Sequence, residues 1–152
     1  MGEIKIGLLG CGTVGSGVYK VLNKNAESIA NKADAELTVS KILVKDLEET
    51  IRPEVNRNLL TDDFEEIISD DQIEIIVEVI GGVQPAKEFV LRSLRQGKSV
   101  VTANKELMAK HGEEILQTAD EEGVDVHFEA SVGGGIPVIR PLKEDLAGNT
   151  VT

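Results

Sequence analysis

Apolar residues in this chain follow two alternating patterns. Short runs rich in Ile, Val and Leu predict strands that are covered on both faces. Longer stretches with apolar residues three and four positions apart predict amphipathic helices. The predicted strands occupy residues 4–9, 37–44, 73–80, 99–102 and 124–128, with a short edge strand at 58–61. The predicted helices occupy residues 13–30, 62–68, 85–96 and 105–122.

This alternation of strands and helices predicts an α/β fold, a single-domain Rossmann-type doubly wound parallel sheet. Several helix ends carry local signals: Asp62 with Glu65 resembles a capping box, and Pro85 suits a first helical turn. Gly97 and Gly123 follow the ends of two helices. Right-handed crossovers would place the first strand beside residues 73–80 and open a ligand crevice there.

Three glycines follow the first strand with the spacing G-x-G-x-x-G. In this strand–turn–helix context, Gly10 permits the tight turn, Gly12 lets the backbone approach a diphosphate, and Gly15 lets the helix pack on the strand. The start of the helix offers free N–H groups and the positive end of its dipole to an anion. The pattern therefore predicts a dinucleotide site. A glycine turn that only connects a strand to a helix would show the same spacing.

The end of the second strand is where a Rossmann domain contacts the adenosine ribose. A carboxylate there favours NAD, and a basic group favours the extra phosphate of NADP. Lys45 and Asp46 stand side by side, so both choices stay open. Arg52 and Arg57 follow in the next loop, as further phosphate contacts or as ordinary surface residues.

Two later positions are candidates for the chemistry. Gly81 and Gly82 follow the strand at 73–80 and suit a close approach of the backbone to a ligand. Lys105 stands at the start of a helix, where its charge opposes the helix dipole. Such a locally unfavourable residue is a candidate for polarising a substrate oxygen or for relaying its proton. The other interpretation is a solvated surface lysine.

Glu129 and three consecutive glycines at 133–135 follow the last predicted strand. Backbone carbonyls in this segment, together with the Glu129 carboxylate, have the chemistry to surround a hard cation. An exposed strand end followed by a glycine hinge is the other interpretation. The spacing alone favours neither.

Charge and cysteine content narrow the class of protein. The net charge of -11, without a basic cluster, argues against nucleic acid or an anionic membrane as a partner. Cys11 is the only cysteine, so we expect no internal disulfide and a reducing, cytoplasmic compartment. Its position inside the glycine turn suits a small apolar filler better than a nucleophile. We identify no export signal and no membrane span.

Four segments together resemble the homoserine dehydrogenase family. They are GLLGCGTVGSGV at 7–18, VEVIGG at 77–82, VVTANKEL at 100–107 and FEASVGGGIPVI at 128–139. The resemblance implies NAD(P)-dependent interconversion of L-homoserine and L-aspartate 4-semialdehyde, on the path to threonine, methionine and isoleucine.

The resemblance also implies roles for individual residues. The residues that the resemblance implies for binding of NADP or NAD are Gly10, Gly12, Thr13, Val14, Gly15 and Lys105. The predicted cofactor site also includes Lys45, Gly81, Gly82, Thr102 and Asn104. Lys105 would in addition be catalytic, with a role in proton transfer. The implied sodium site consists of Glu129, Val132, Gly134 and Ile136, the last three through backbone carbonyls.

The family chain continues into a substrate-binding and dimerising region. We therefore expect residues 1–140 to form the NAD(P)-binding domain and 141–152 to begin the connection to a substrate domain, which this chain lacks. The intact protein would be a homodimer acting on a small amino-acid substrate, and this piece would bind cofactor with little turnover. Two alternatives stay open: a non-enzymatic dinucleotide-sensing domain, and aspartate-semialdehyde dehydrogenase, for whose nucleophilic cysteine Cys11 is badly placed.

Overall fold

The computed structural model describes residues 2–128, which form one parallel β-sheet with helices on both faces. Its strands are β1 (Gly2–Leu9), β2 (Ala35–Leu43), β3 (Leu60–Thr61), β4 (Ile73–Glu78), β5 (Ser99–Thr102) and β6 (Val126–Phe128). Their order across the sheet is β3-β2-β1-β4-β5-β6, and every pairing is parallel. This confirms the predicted Rossmann-type doubly wound sheet.

The helices pack on both faces of this sheet. They are α1 (Thr13–Lys24), α2 (Ala26–Ala33), α3 (Glu65–Ile68), α4 (Ala86–Arg95) and α5 (Lys105–Glu122), with a 3-10 helix at Arg57–Leu59. Apolar residues of α1 and α2 share one core cluster with Ile6 and Leu8 of β1. Those of α3, α4 and α5 share a second cluster with Leu9. No helix in the described part of the chain is long and apolar enough to span a bilayer.

The predicted helix over residues 13–30 is wrong in one respect, because two helices cover this stretch. Asn25 separates them with φ -108° and ψ 24°, outside the α-helical region. Its N–H still donates to the Val21 carbonyl at 3.0 Å, and its carbonyl accepts from Ile29 at 2.9 Å. The hydrogen bonds and the apolar periodicity continue through the bend, so the pattern alone conceals it.

The predicted capping box at Asp62 is also wrong: the N-cap of α3 is Phe64, and Asp63 rather than Asp62 bonds to the start of the helix. The carboxylate of Asp63 accepts from the N–H of Glu65 at 3.0 Å. The Thr61 hydroxyl donates to the Glu66 carboxylate at 2.9 Å and fixes the start of this short helix. Asp62 is left exposed, on the side of the sheet where the strands end.

The fourth strand ends at Glu78, two residues before the end of its apolar run. The N–H groups of Ile80 and Gly81 donate to the Glu78 carboxylate, at 2.9 and 3.3 Å, and bend the chain out of the sheet. The predicted neighbourhood of β1 and β4 is confirmed, with Leu9 opposite Glu78 in the register. The carboxyl ends of β1, β2 and β4 therefore meet at the point where the strand order reverses.

At the other end of the sheet, where the strands begin, a buried lysine binds the loop between α3 and β4. The Lys98 ammonium donates to the backbone carbonyls of Asp70 and Ile73, both at 2.7 Å. The residue is only 4% exposed. Burial lowers the pKa of Lys98 below its ordinary value of 10.5, against the opposing effect of nearby carboxylates.

Lys98→Met should lower the free energy of unfolding by about 1–3 kcal/mol, because two carbonyls lose their donor while the apolar stem is kept. Lys110→Met is the matched control: Lys110 is exposed and makes one surface ion pair with Glu106 at 3.4 Å. Its loss should cost less than about 1 kcal/mol. Urea unfolding of both variants measures the difference, and equal effects would contradict this role of Lys98.

The lowered pKa adds a pH dependence. Between the lowered pKa and 10.5 the unfolded state holds a proton on Lys98 that the folded state has released. Stability from this group therefore rises with pH in that window. The gap in unfolding free energy between wild type and Lys98→Met should widen as pH rises towards 10.5.

Candidate cofactor site

The glycine turn between β1 and α1 is shaped by close backbone contacts. Gly10 has φ +108°, and its N–H donates to the Leu43 carbonyl at 3.0 Å, joining the ends of β1 and β2. A Cβ on Gly15 would lie 2.2 Å from the Gly10 carbonyl oxygen. These two glycines are therefore required by the packing of the protein itself.

Gly12 differs, because a Cβ there would have no atom of the described residues within 4 Å. Gly12 is the N-cap of α1 with φ -78°, a conformation open to other residues, and no side chain caps this helix. Within residues 2–128, no hydrogen bond uses the N–H groups of Gly12, Thr13 or Val14. The start of α1 thus presents three free donors and open space to an anion.

A cleft of about 310 Å³ opens beside this turn. Its walls come from the glycine turn, the end of β2, the loop after it, the start of α3 and the loop between β4 and α4. The lining residues are Gly10, Cys11, Gly12, Leu43, Val44, Lys45, Glu49, Asp62, Phe64, Val79, Ile80, Pro85 and Phe89. The cleft therefore lies at the carboxyl ends of β1, β2 and β4, where a doubly wound sheet binds its ligand.

An aromatic pair forms one wall of the cleft. The rings of Phe64 and Phe89 are stacked, with centroids 4.1 Å apart and an interplanar angle of 21°. The Arg92 guanidinium lies 5.2 Å from the Phe64 centroid and is bound to Glu65 at 2.6 Å, so the pair is braced from outside. Phe89 lies within the predicted helix over residues 85–96, but the sequence does not indicate this wall, since only tertiary packing joins the two rings.

The charged lining residues are one cation and two carboxylates. Of the two neighbours left open by the sequence, Lys45 lines the cleft. The Asp46 carboxylate instead accepts from the N–H of Glu48 at 2.9 Å, which caps its own turn. Glu49 and Asp62 supply the carboxylates at the cleft.

The arginine candidates in the next loop are not among the residues that line the cleft. The Arg57 guanidinium donates to the carbonyl of Leu47 at 2.7 Å and reaches that of Glu49 at 3.5 Å. Arg57 therefore braces the loop that carries Glu49.

Cys11 behaves as the apolar filler that its position suggested. Burial raises the pKa of its thiol, an effect that the Ser16 hydroxyl opposes and the Glu49 charge reinforces. Its sulfur lies 3.7 Å from the Ser16 oxygen, and the side chain packs against the core cluster of α1 and α2. A thiol held neutral in this way is a poor nucleophile.

The predicted residues beyond the cleft meet at the ends of β4 and β5. Gly81 and Gly82 have φ +85° and +74°, with open space where a Cβ would stand. Lys105 is exposed at the first position of α5. Thr102 and Asn104 are buried, and their side chains bond to protein groups. A direct contact of these two residues with a cofactor stays a prediction.

The predicted sodium ligands Glu129, Val132, Gly134 and Ile136 lie outside the described residues. Residues 2–128 themselves hold no group of three or more His, Cys, Asp or Glu side chains suited to a metal ion.

Comparison with known proteins agrees with this geometry. The sequence model described as "Homoserine dehydrogenase, NAD binding domain" matches residues 10–129. The chain is 43% identical to the homoserine dehydrogenase of Bacillus subtilis over 152 residues, which is all of this chain and 35% of that enzyme. The chain thus spans about a third of the length of that curated relative.

Solved structures give the same result. A homoserine dehydrogenase from Thiobacillus denitrificans matches with a TM-score of 0.81 and 45% identity, over 96% of this chain and 34% of that one. A hyperthermophilic archaeal homoserine dehydrogenase in complex with NADPH matches with a TM-score of 0.68 and 25% identity, over 96% of this chain and 50% of that one. With its glycine turn, parallel sheet and cleft, the chain belongs to the homoserine dehydrogenase family and matches its NAD-binding domain.

Proposed function

We propose that this chain is the cofactor-binding part of a homoserine dehydrogenase, a dimeric cytoplasmic enzyme that interconverts L-homoserine and L-aspartate 4-semialdehyde. The observation that carries the proposal is the set of free N–H groups at Gly12, Thr13 and Val14 beside the cleft. When bound, NAD or NADP supplies the hydride acceptor or donor. The residues of the protein bind and orient the reactants and transfer the proton.

The glycine turn and the cleft suit different parts of the dinucleotide. The free N–H groups and the positive end of the α1 dipole suit the diphosphate. The stacked pair of Phe64 and Phe89 suits the apolar face of the adenine, and the carboxylates of Glu49 and Asp62 are acceptors for ribose hydroxyls. Lys45 is the basic residue of this lining and suits a 2′-phosphate.

Lys105 stands where a proton donor is useful. It is the exposed first residue of α5, and the side chain of the preceding residue, Asn104, donates to the Gly82 carbonyl at 2.6 Å. We infer that this ammonium stabilises the oxygen of the substrate as its carbon–oxygen bond changes order, and exchanges a proton there. The substrate itself would be held largely by residues outside this chain.

We further propose a monovalent cation, sodium, bound by the Glu129 carboxylate and the backbone carbonyls of Val132, Gly134 and Ile136. The support is the donor chemistry of that segment, which is all oxygen and thus suited to a hard cation. No catalytic step is assigned to this ion.

The alternative that uses a nucleophilic cysteine is disfavoured by the raised pKa of Cys11 and its packing against the core. A dinucleotide-sensing domain would share the glycine turn. Turnover of homoserine by an enzyme that contains this chain separates that alternative from the proposal.

Gly12→Asp should strongly weaken dinucleotide binding while keeping the fold. An aspartate is a favourable N-cap residue, and its carboxylate would take up the free N–H groups and repel the diphosphate. We expect at least a roughly 100-fold higher Kd for NADPH by calorimetric titration, from the loss of about 3 kcal/mol of charge-assisted hydrogen bonding.

The control for this variant is Gly2→Asp, which adds the same charge at the other end of β1, where a Cβ also meets open space. It should bind NADPH like the wild type. Normal binding by Gly12→Asp would remove the basis of the proposed function.

Lys45→Gln should discriminate between the two cofactors. The loss of one charge-assisted contact to the 2′-phosphate should weaken NADPH binding by about 10–100-fold, while NADH binding stays within about threefold. Titration of the variant with both dinucleotides measures this. Lys41→Gln, which removes a half-buried lysine of β2 paired with Glu66 at 3.9 Å, is the control. Equal weakening of both cofactors by Lys45→Gln would contradict this role.

Lys105→Ala, in the enzyme that contains this chain, should lower kcat for homoserine oxidation by about 100- to 10,000-fold, with the Kd for the cofactor nearly unchanged. The physical reason is the lost proton donor at the substrate oxygen. Lys110→Ala, on an exposed position of the same helix, should leave kcat unchanged. A rate for Lys105→Ala equal to that of the control would exclude the catalytic assignment.

A further inference from the structure

Glu78 is a buried carboxylate at the centre of the sheet edge that carries the site. It is the last residue of β4, it is 0% exposed, and it pairs with Leu9 of β1 and Thr102 of β5. Within residues 2–128, no lysine, arginine or histidine forms an ion pair with it. A buried charge without a counter-ion must be held by hydrogen bonds.

Four donors converge on this carboxylate. Its Oε1 accepts from the Thr102 hydroxyl at 2.5 Å. Its Oε2 accepts from the N–H of Ile80 at 2.9 Å and that of Gly81 at 3.3 Å. The Asn104 amide, at 3.4 Å, completes the set. The end of β4, the end of β5 and the start of α5 are therefore tied to one side chain.

Asn104 extends this connection in both directions. Its amide NH₂ donates to the Gly82 carbonyl at 2.6 Å, and its Oδ1 accepts from the N–H of Leu107 at 3.0 Å as the N-cap of α5. The backbone N–H of Asn104 donates to the Thr102 hydroxyl at 3.1 Å. The Gly81–Gly82 turn and the first turn of α5 are thus fixed relative to each other, and Lys105 is the first residue of that helix.

Burying this carboxylate is costly. An apolar side chain of the same length would avoid that cost, but it would leave four donors without an acceptor. The positive end of the α5 dipole offsets part of that cost, and the four hydrogen bonds offset more. What the carboxylate adds over an apolar residue is directional attachment of two loops.

We propose that Glu78 is a positioning residue for the redox end of the site. Its carboxylate holds the Gly81–Gly82 turn and the start of α5 in one arrangement, and so determines where Lys105 lies relative to bound cofactor. The inference rests on the proposed function and adds to it a residue that acts through others.

The test compares Glu78→Met, which keeps the length but removes all acceptors, with Glu78→Gln. The Gln amide oxygen still accepts from Ile80 and Gly81, and its NH₂ can donate to the Thr102 hydroxyl oxygen. Each variant of this chain is titrated with NADH and with ADP-ribose, which lacks the nicotinamide. In the enzyme that contains the chain, kcat and KM are measured as well.

Glu78→Met should bind ADP-ribose within about threefold of wild type but lose the extra affinity for NADH, and its kcat should fall by about 100-fold with a smaller change in KM. Glu78→Gln should restore both values to within about threefold of wild type. Equal weakening of ADP-ribose and NADH, or Glu78→Gln as impaired as Glu78→Met, would overturn the positioning role. Wild-type chain that binds neither ligand would instead overturn the proposed function.

A second pair covers the case in which Glu78→Met does not fold. Thr102→Val removes the hydroxyl bonded to Glu78, and Thr102→Ser keeps it. The valine variant should show the same selective loss for NADH, and the serine variant should reverse it. Thr118→Val is the matched control, since its buried hydroxyl donates only to the Glu114 carbonyl of the same helix, at 2.8 Å. The same loss in Thr118→Val, or none in Thr102→Val, would overturn the inference.

Discussion

An acidic protein that binds an anion must supply its positive potential locally. The chain carries a net charge of -11, so its overall field repels a dinucleotide. The local donors are the unpaired N–H groups at the start of α1, joined to the positive end of that helix. They lie beside the cleft because β1 brings the chain to this edge of the sheet and Gly10 turns it there. The strand, the glycine turn and the helix therefore act together to place these donors.

The three glycines of the turn differ in what their small size does for the protein. Gly10 and Gly15 are needed by the protein, because a Cβ on either would press against backbone atoms. Gly12 faces open space, so the packing of the described residues does not require a glycine there. Gly10 and Gly15 thus serve the stability of the fold, whereas Gly12 leaves room for a ligand.

Several kinds of group border the cleft. They are the free N–H groups at the start of α1, the stacked rings of Phe64 and Phe89, the Lys45 ammonium and two carboxylates. The ends of β4 and β5 carry a separate, rigid hydrogen-bond network around Glu78. The groups proposed for binding and for chemistry thus lie in neighbouring parts of one sheet edge, connected by the loop after β4.

Much of this was determined by the sequence alone, because it depends on interactions between near neighbours. The β-branched runs, the glycine spacing and the helix stop at Gly123 are local, and they sufficed for the parallel sheet and its switch point. What only the tertiary structure decided are contacts between residues distant in the chain. Phe64 meets Phe89, Lys45 and not Asp46 faces the cleft, and Glu78 gathers donors from three segments. The physical reason is that burial and hydrogen-bond direction are set by packing, which no local pattern encodes.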